Sequence, residues 1–283
     1  MGAAGTRATR SRPGGPVSEG SLSEGSLDSA KPAVAALVMT LLVALRGIDG
    51  IVAAADSRGT FGDPRGVTAQ NDSQQKAHLV ADHAAVMIAG SGEIGTQLIQ
   101  EIVKEARALT VDGATAVCGL VRNTAKSRYQ EWFSHLPPAV PPGMPGIARP
   151  DLMFVVAGYD PDVDGKFTVP RLYSSPSTLD FPPMLHDYGF VISGIAQYAL
   201  YLLNRLYQPN RSLADLKALA VYVITETASQ DGKVGGPVRV VTITPDKGGV
   251  ELTTEQVAQI HRSNDERGEQ LRNSFYTTSE ATP

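Results

Sequence analysis

Cysteine and aromatic residues are scarce in this sequence. Among its 283 residues there are one cysteine and one tryptophan, and aromatic residues make up 6% of the chain. A single cysteine excludes an intrachain disulfide, which is typical of proteins in a reducing compartment, and we expect a cytoplasmic protein. Cys118 falls within a helical pattern, so we interpret it as a small core residue and not as a nucleophile.

The sequence also has no large excess of charge of either sign. Its net charge is −4 at pH 7 and its isoelectric point is about 5.8. No run of basic residues alternates with aromatic residues, so the electrostatic footprint of a nucleic-acid-binding protein is missing. We therefore expect no nucleic-acid partner.

The main apolar run is too short to cross a membrane. It lies between Lys31 and Arg46, whereas a spanning helix needs about 20 apolar residues. The run resembles the core of a signal peptide, but Leu45-Arg46-Gly47 stands where a small-x-small cleavage site would be required. We expect neither a membrane partner nor secretion.

Metal-ligand patterns are missing as well. The histidines show no metal spacing such as H-x-x-x-H (His78, His83, His135, His186 and His261). The segment Asp160-x-Asp162-x-Asp164-Gly165 imitates the start of an EF-hand loop, but Arg171 occupies the position of the closing acid. We predict a hairpin turn at this segment, and neither a metal nor a cofactor.

Composition divides the chain into three parts. Residues 1–38 are rich in Gly, Ala, Ser, Arg, Pro and Glu, which predicts either a disordered leader or a start codon assigned too far upstream. Residues 39–250 carry the periodic patterns of a folded domain. Residues 251–283 are interpreted as a polar C-terminal helix followed by a tail.

The periodicity within residues 39–250 changes from strands to helices twice. It predicts strands, two helices, strands, two helices and a closing strand. The predicted strands are Leu41–Arg46, Ile51–Ala55, Ala77–Leu79, Ala84–Ile88, Leu152–Gly158, Phe167–Tyr173, Phe190–Ile192 and Val238–Thr244, and the later helices are Ala196–Tyr207 and Leu213–Ala228. Strands in hairpin pairs and helices in pairs indicate an α+β fold of antiparallel sheets covered by helical layers.

A glycine-rich segment offers one alternative function. Gly90-Ser91-Gly92-Glu93-Ile94-Gly95 follows a predicted strand and opens a helix, as the dinucleotide fingerprint does, and Asp112 lies roughly where a ribose-binding acid would stand. However, the strands before these glycines form hairpins, which a Rossmann fold would not place there. The glycines still indicate a close approach to backbone N–H groups.

The residues that carry the strongest chemical signal begin at Thr40. If Met39 is removed, Thr40 becomes the N-terminus, and its hydroxyl and its free α-amine then belong to one residue. An α-amine with a pKa near ~8 can act as a base at neutral pH, whereas a threonine hydroxyl alone is too weak a nucleophile. Asp56, Lys76 and the Gly90 loop supply a carboxylate, a cation and an oxyanion-binding N–H.

This ordered set resembles the proteasome-type threonine hydrolases, which are N-terminal nucleophile enzymes that include the bacterial proteasome β subunits. The matching pieces are Thr40, Asp49-Gly50, Ala55-Asp56-Ser57-Arg58, Lys76, Gly90, Ser193-Gly194, Asp231 and Gly235-Gly236. Each piece is weak alone, but their order and spacing over residues 40–245 are specific. Two departures are Val234, where the family has serine, and Met39, where self-cleaving family propeptides generally end in glycine.

The resemblance implies a fold, an activity and a set of roles. It implies a four-layer αββα sandwich, self-assembly into a homo-oligomeric ring, and hydrolysis of peptide bonds in peptides or unfolded proteins, with an ATPase unfoldase as a further partner left open. In the implied mechanism Thr40 attacks, Lys76 hydrogen-bonds its hydroxyl oxygen and is held by Asp56, and the Gly90 amide binds the oxyanion. Ser193 and Asp231 are then expected to organise the α-amine.

The resemblance also implies an alternative to an enzyme. Proteasome α-type subunits share the fold without the chemistry, so an inactive ring subunit is a second hypothesis. The coincidence of Thr40, Asp56 and Lys76 favours the hydrolase, because a scaffold has no use for this set.

Overall fold

The computed structural model describes residues 40–63, 66–140 and 146–276, without the side chains of residues 61–68. The predicted leader 1–38, Met39 and residues 141–145 lie outside the described residues. The strands are β1 (Leu41–Arg46), β2 (Ile51–Ala55), β3 (Gly59–Asp63), β4 (Gly66–Asn71), β5 (Ala77–Ala81), β6 (Ala84–Gly90), β7 (Leu152–Pro161), β8 (Phe167–Pro176), β9 (Met184–Leu185), β10 (Phe190–Gly194), β11 (Arg239–Thr244) and β12 (Gly248–Glu251). The helices are α1 (Gly92–Ala108), α2 (Ala114–Phe133), α3 (Ala196–Leu206), α4 (Leu213–Gln230) and α5 (Thr254–Tyr276), and a short 3-10 helix covers Ser177–Leu179.

Two five-stranded antiparallel sheets form the centre of the fold. The first has the strand order β10-β1-β2-β11-β12, and the second has the order β5-β6-β7-β8-β9. Small apolar side chains from both sheets pack against each other to form an apolar core between them. The helices α1 and α2 cover the outer face of the second sheet, and α3, α4 and α5 cover the outer face of the first. The predicted αββα sandwich is therefore confirmed.

Strand β1 is buried on both of its faces. Leu42 and Ala44 point into the core between the sheets, whereas Leu41, Val43 and Leu45 pack under the helices of the first sheet. Alternate residues of a strand point to opposite faces, so a strand between two apolar layers must be apolar throughout. This placement explains the continuous apolar run that resembled a signal-peptide core, as far as the run is described.

The β1–β2 hairpin closes with glycine at two tight places. Gly47 N donates to Gly50 O at 2.8 Å, and a Cβ on Gly47 would stand 2.6 Å from Arg211 O. The neighbouring Asp49 accepts a hydrogen bond from Leu213 N at 2.6 Å, which satisfies an N–H at the start of α4. The turn therefore fixes the register of β1 on β2 and also anchors α4 to the sandwich.

Residues 59–63 and 66–71 form a small separate pair of strands that the sequence analysis did not predict. Strands β3 and β4 pair antiparallel and join neither large sheet. Sequence reasoning missed this hairpin because Gly59–Asp63 and Gly66–Asn71 lack the apolar alternation that marks strands packed on a core. The short strands β9 and β12 were missed for the same reason.

Cys118 and the acidic segment after Tyr159 lie as predicted. Cys118 is 1% exposed and lies in the core beneath α1 and α2. Asp162 accepts hydrogen bonds from the amides of Asp164 and Lys166 in the turn between β7 and β8, so the acidic segment is a hairpin turn. Within the helices that the structure describes, none is both long and apolar enough to cross a bilayer.

Two glycines give a matched test of this packing. A Cβ on Gly158 in β7 would overlap the carbonyl oxygen of His83, whereas a Cβ on Gly119 in α2 would meet nothing within 4 Å. We expect Gly158→Ala to lower the free energy of unfolding by about 1–3 kcal/mol through overpacking. We expect Gly119→Ala to raise it by about 0.5–1 kcal/mol, because alanine favours a helix interior.

Urea unfolding followed by far-UV circular dichroism measures both changes. Equal effects of the two substitutions would contradict the close approach of β7 to the turn that holds His83.

Candidate active site

The carboxylate of Asp56, which is completely buried, collects the groups of the site. Its Oδ1 accepts three hydrogen bonds: from Thr40 Oγ1 at 2.9 Å, from Leu41 N at 2.9 Å and from Lys76 Nζ at 2.8 Å. A buried carboxylate keeps its charge only where donors replace its lost water. Three of the predicted site residues, Thr40, Asp56 and Lys76, are therefore brought together by direct contacts.

The second oxygen of the same carboxylate binds backbone only. Arg58 N donates to Asp56 Oδ2 at 3.2 Å and Gly235 N donates to it at 3.1 Å. The amide of Gly235 comes from the segment between α4 and β11, which is remote in the sequence from Asp56. The sequence analysis placed Gly235 in a matching motif, but it did not predict that the amide of Gly235 would bind this carboxylate.

The hairpin register explains why Asp56 meets Thr40. Leu42 pairs with Ala55 across the β1–β2 hairpin, and one pair further out Asp56 N donates to Leu41 O at 3.2 Å. A residue at the end of β2 must therefore lie beside the start of β1. This proximity follows from the length of the two strands and the position of the turn at Gly47–Gly50.

Lys76 reaches the site from the second sheet. It lies directly before β5, is 4% exposed, and donates from Nζ to Arg58 O at 2.6 Å as well as to Asp56. Burial lowers the pKa of Lys76 below its ordinary value, and the attraction of Asp56 only partly offsets this effect. The ion pair between Lys76 and Asp56 thus crosses the core between the two sheets.

Thr40 is held at its backbone and at its hydroxyl. Its carbonyl accepts from Ile195 N at 2.7 Å, and a Cβ on Gly194 would overlap that carbonyl. The expected hydrogen bond from Lys76 to the Thr40 hydroxyl oxygen is not found among the described residues. Both groups instead bind Asp56 Oδ1, which places them side by side on one atom.

The Gly90 loop makes no hydrogen bond to Thr40, Asp56 or Lys76 within the described residues, and it is linked to their surroundings through Gln74. Gly90 ends β6 with a φ of +114°, and a Cβ there would overlap the carbonyl oxygen of Asp151. The side chain of Gln74 packs against both Gly59 and Gly92, since a Cβ on either would touch it. Through Gln74 the start of α1 is joined to the segment that follows Asp56. Sequence reasoning did not single out Gln74, and no motif marks it.

Ser193 and Asp231 make no hydrogen bond to the Thr40 hydroxyl in the part of the chain that the structure describes. Ser193 lies in β10 opposite Leu42, and no hydrogen bond of its hydroxyl is found in the described part of the chain. Asp231 ends α4, and its carboxylate accepts from Lys233 N at 2.9 Å within the turn. Their expected role at the α-amine stays a prediction.

Val234 belongs to the apolar core and not to the polar site. Its side chain is completely buried in the cluster beneath α3 and α4. The polar contacts of this segment are made by its backbone, since Val234 N donates to Asp231 O at 3.0 Å and Val234 O accepts from Arg58 Nη1 at 3.4 Å.

The dinucleotide alternative is wrong for this fold. Every strand pairing between described residues is antiparallel, so the parallel βαβ unit that the fingerprint requires is not formed there. Asp112 is also occupied structurally: it accepts from His83 N at 2.8 Å and lies 2.9 Å from His83 Nδ1. Across the described ranges, no cluster of three or more potential metal ligands is present.

Comparison with characterised sequences finds distant relatives, although no family model matches the chain. Proteasome subunit beta 2 of Thermomonospora curvata is 26% identical over 239 residues, which cover 79% of this chain and 75% of the relative. Proteasome subunit beta of Saccharopolyspora erythraea is 26% identical over 237 residues, which cover 78% of this chain and 75% of the relative.

Comparison with solved structures finds the same architecture. Anbu from Hyphomicrobium sp. strain MC1 superposes with a TM-score of 0.63 at 17% identity, over 86% of this chain and 100% of that one. Anbu from Yersinia bercovieri, described as an ancestral beta-subunit, gives a TM-score of 0.63 at 17% identity, over 86% and 99% of the two chains. These structures confirm the fold, and the sequence relatives confirm the resemblance of the chain to proteasome beta subunits.

Proposed function

We propose that the protein is a threonine endopeptidase that hydrolyses peptide bonds with Thr40 as its N-terminal nucleophile. One observation carries the proposal: the buried carboxylate of Asp56 binds both the Thr40 hydroxyl and the Lys76 ammonium on a single oxygen. A buried ion pair is costly to assemble and is weak evidence for stability. Its placement beside a hydroxyl at the start of a strand favours a chemical role.

The proposed reaction begins once Met39 has been removed. The Thr40 hydroxyl oxygen attacks the carbonyl carbon of a peptide bond, and its proton passes to the α-amine of the same residue. The tetrahedral intermediate carries an oxyanion, which the amide of Gly90 is proposed to bind. When the intermediate collapses, the C–N bond breaks, the leaving amine takes the proton, and an ester on Thr40 remains for water to hydrolyse.

Lys76 supplies a positive charge that stays in place throughout this sequence. Its ammonium lies beside the hydroxyl on the shared oxygen of Asp56, so it favours the negative charge that develops on the Thr40 oxygen. It also disfavours protonation of the neighbouring α-amine by like-charge repulsion, which keeps that amine available as a base. Asp56 fixes the ammonium, and Ser193 and Asp231 are proposed to orient the amine.

Assembly and location belong to the same proposal. The relatives are named proteasome subunits, and we propose that this chain also forms a homo-oligomeric ring that encloses the site. Peptides or unfolded proteins would be the substrates, and an ATPase unfoldase could supply the latter. The single buried cysteine suits a cytoplasmic setting.

An inactive ring subunit is the second candidate. Two observations favour it. In the described part of the chain the Thr40 hydroxyl makes no hydrogen bond with Ser193, Asp231 or Lys76. Val234 also stands where the family has serine. The two candidates differ in whether Thr40 hydrolyses peptide bonds, which an activity assay can measure.

Substitutions at Thr40 separate the two candidates. For protein translated from Met39 and incubated with short fluorogenic peptides, we expect Thr40→Ser to remain active and Thr40→Ala to lose on the order of 10³-fold or more in kcat. The serine variant keeps the oxygen nucleophile, whereas alanine removes it. Thr124→Ala is the matched control, because Thr124 is also buried but bonds Glu105 between α1 and α2.

Size-exclusion chromatography of each variant checks that assembly is intact. Full activity of Thr40→Ala, or inactivity of the parent protein in its assembled form, would contradict the hydrolase and leave the ring subunit.

The ion pair gives a second prediction. We expect Lys76→Met to abolish activity and to lower the free energy of unfolding by about 3–5 kcal/mol, because it leaves the buried Asp56 carboxylate unpaired. Adding Asp56→Asn removes the unpaired charge, so it should recover part of the stability and none of the activity; recovery stays partial because the amide nitrogen cannot accept the hydrogen bonds that one carboxylate oxygen accepts. Urea unfolding and peptide hydrolysis measured on both variants check this separation, and recovery of activity in the double variant would contradict a role for the charges.

The pKa of Lys76 gives a third prediction. Burial lowers this pKa from the ordinary value of 10.5, so the ammonium should lose its proton at a lower pH than a free lysine does. Since the charged form is the one proposed to act, activity should decline on the alkaline side before pH 10.5 is reached. Carbon-13 NMR of labelled lysine, with the Lys76 signal assigned by its loss in Lys76→Met, measures the midpoint directly. A midpoint at or above 10.5 would contradict the lowered pKa, and activity that persists above the measured midpoint would argue against this electrostatic role.

A further inference from the structure

The side chain of Arg58 makes a fork of contacts that the reaction scheme does not use. Arg58 Nε lies 2.7 Å from Asp72 Oδ1 and Nη2 lies 2.8 Å from Asp72 Oδ2, which is a bidentate ion pair. Its third nitrogen, Nη1, donates to Gly232 O at 3.0 Å and to Val234 O at 3.4 Å. The guanidinium therefore joins β4 and its following turn to the segment between α4 and β11.

That segment is shaped to receive the pair. A Cβ on Gly235 would stand 2.5 Å from Arg58 Cζ, and a Cβ on Gly236 would stand 2.8 Å from Asp72 Cβ. Gly236 also has a φ of +71°, which disfavours other residues. The two glycines leave room for the guanidinium and the carboxylate to lie directly on the backbone.

The opposite side of the same segment faces the candidate site. Gly235 N donates to Asp56 Oδ2 at 3.1 Å, and Gly235 O accepts from Ser57 N at 3.0 Å. Ser57 Oγ adds a bond to Pro237 O at 2.6 Å. The segment is thus held between Asp56 on its inner side and the Arg58–Asp72 pair on its outer side.

The backbone of Arg58 contacts both charged groups of the site. Its N–H donates to Asp56 Oδ2 at 3.2 Å, and its carbonyl accepts from Lys76 Nζ at 2.6 Å. A shift of Arg58 would therefore change the surroundings of the carboxylate and of the ammonium together.

From this geometry we propose that Arg58 and Asp72 form a positioning clamp for the hydrolysis reaction. The clamp holds the amide of Gly235 in its hydrogen bond to Asp56 Oδ2. The inference rests on the proposed function. Without the clamp, Asp56 loses a donor, and its negative charge becomes less favourable. The carboxylate is then held less firmly, and Thr40 and Lys76 lose the fixed oxygen that places them side by side.

The clamp itself adds little to stability, which makes its role separable from a structural one. The Arg58 and Asp72 side chains are 21% and 43% exposed, and ion pairs at this exposure contribute little to folding. A substitution there should consequently change the reaction much more than it changes unfolding.

The test compares Arg58→Lys with the parent protein in its assembled form. Lysine keeps the charge but loses the fork, so it cannot hold Asp72 and the two carbonyls together. We expect kcat to fall about 10- to 100-fold with KM nearly unchanged, as for other groups that support reacting groups. Asp72→Asn should lower kcat in the same way but less, because the guanidinium keeps its bonds to the two carbonyls.

Arg149→Lys is the matched control. Arg149 also bonds two carbonyls, those of Phe133 and Leu136, and the carboxylate of Asp180, but it lies beneath α2 without contact to Asp56. We expect this variant to keep the kcat and the KM of the parent protein.

Amide hydrogen exchange at Gly235 tests the clamp without reference to activity. Protection of the Gly235 amide should fall at least tenfold in Arg58→Lys and stay unchanged in Arg149→Lys. Unchanged protection would overturn the clamp even if the protein proves inactive. An unchanged kcat in Arg58→Lys, with Thr40→Ala inactive, would overturn its positioning role while leaving the proposed hydrolase intact.

Discussion

A carboxylate that is shielded from water on all sides keeps its charge only where other groups replace the lost hydration, and Asp56 meets this condition with five donors. The donors come from four separate segments of the chain: the start of β1, the turn after β2, the residue before β5 and the segment before β11. Because each segment contributes to the same anion, the geometry around Thr40 depends on the whole central sandwich. The charge of Lys76 is offset in the same place, so neither partner can be removed without leaving the other buried and unpaired.

The fold supplies this convergence through register and layer order. Strand pairing alone puts Asp56 beside Thr40, since both lie at the open end of one hairpin. Lys76 comes from the facing sheet and crosses the core, where mainly small side chains such as Ala53 and Ala55 line the first sheet. The Gly235 amide comes from the segment that joins α4 to β11. A site of this kind needs two sheets packed face to face, which explains why its parts are spread along most of the described chain.

Much of this arrangement could be predicted from the sequence, and the reason is that its signals are local. The alternation of strands and the paired helices predicted antiparallel sheets covered by helical layers, and the resemblance to proteasome-type hydrolases implied the four-layer sandwich and the grouping of Thr40, Asp56 and Lys76. The hairpin of β3 and β4 was missed because strands that pack on no core carry no apolar period. A bond from Lys76 to the Thr40 hydroxyl was expected, but in the described part of the chain both groups instead donate to Asp56 Oδ1. The contacts of Arg58 and Gln74 depend on tertiary packing, so the spacing of residues in the sequence does not predict them.

The central chemical claim is that the α-amine and the hydroxyl of Thr40 belong to a free N-terminus in the working protein. Intact-mass measurement of assembled protein isolated from its own cells tests this claim most directly. We expect a mass that corresponds to a chain beginning at Thr40. A mass that retains Met39 or any of the residues before it in fully assembled material would contradict the claim, because Thr40 would then have an amide nitrogen and no base of its own.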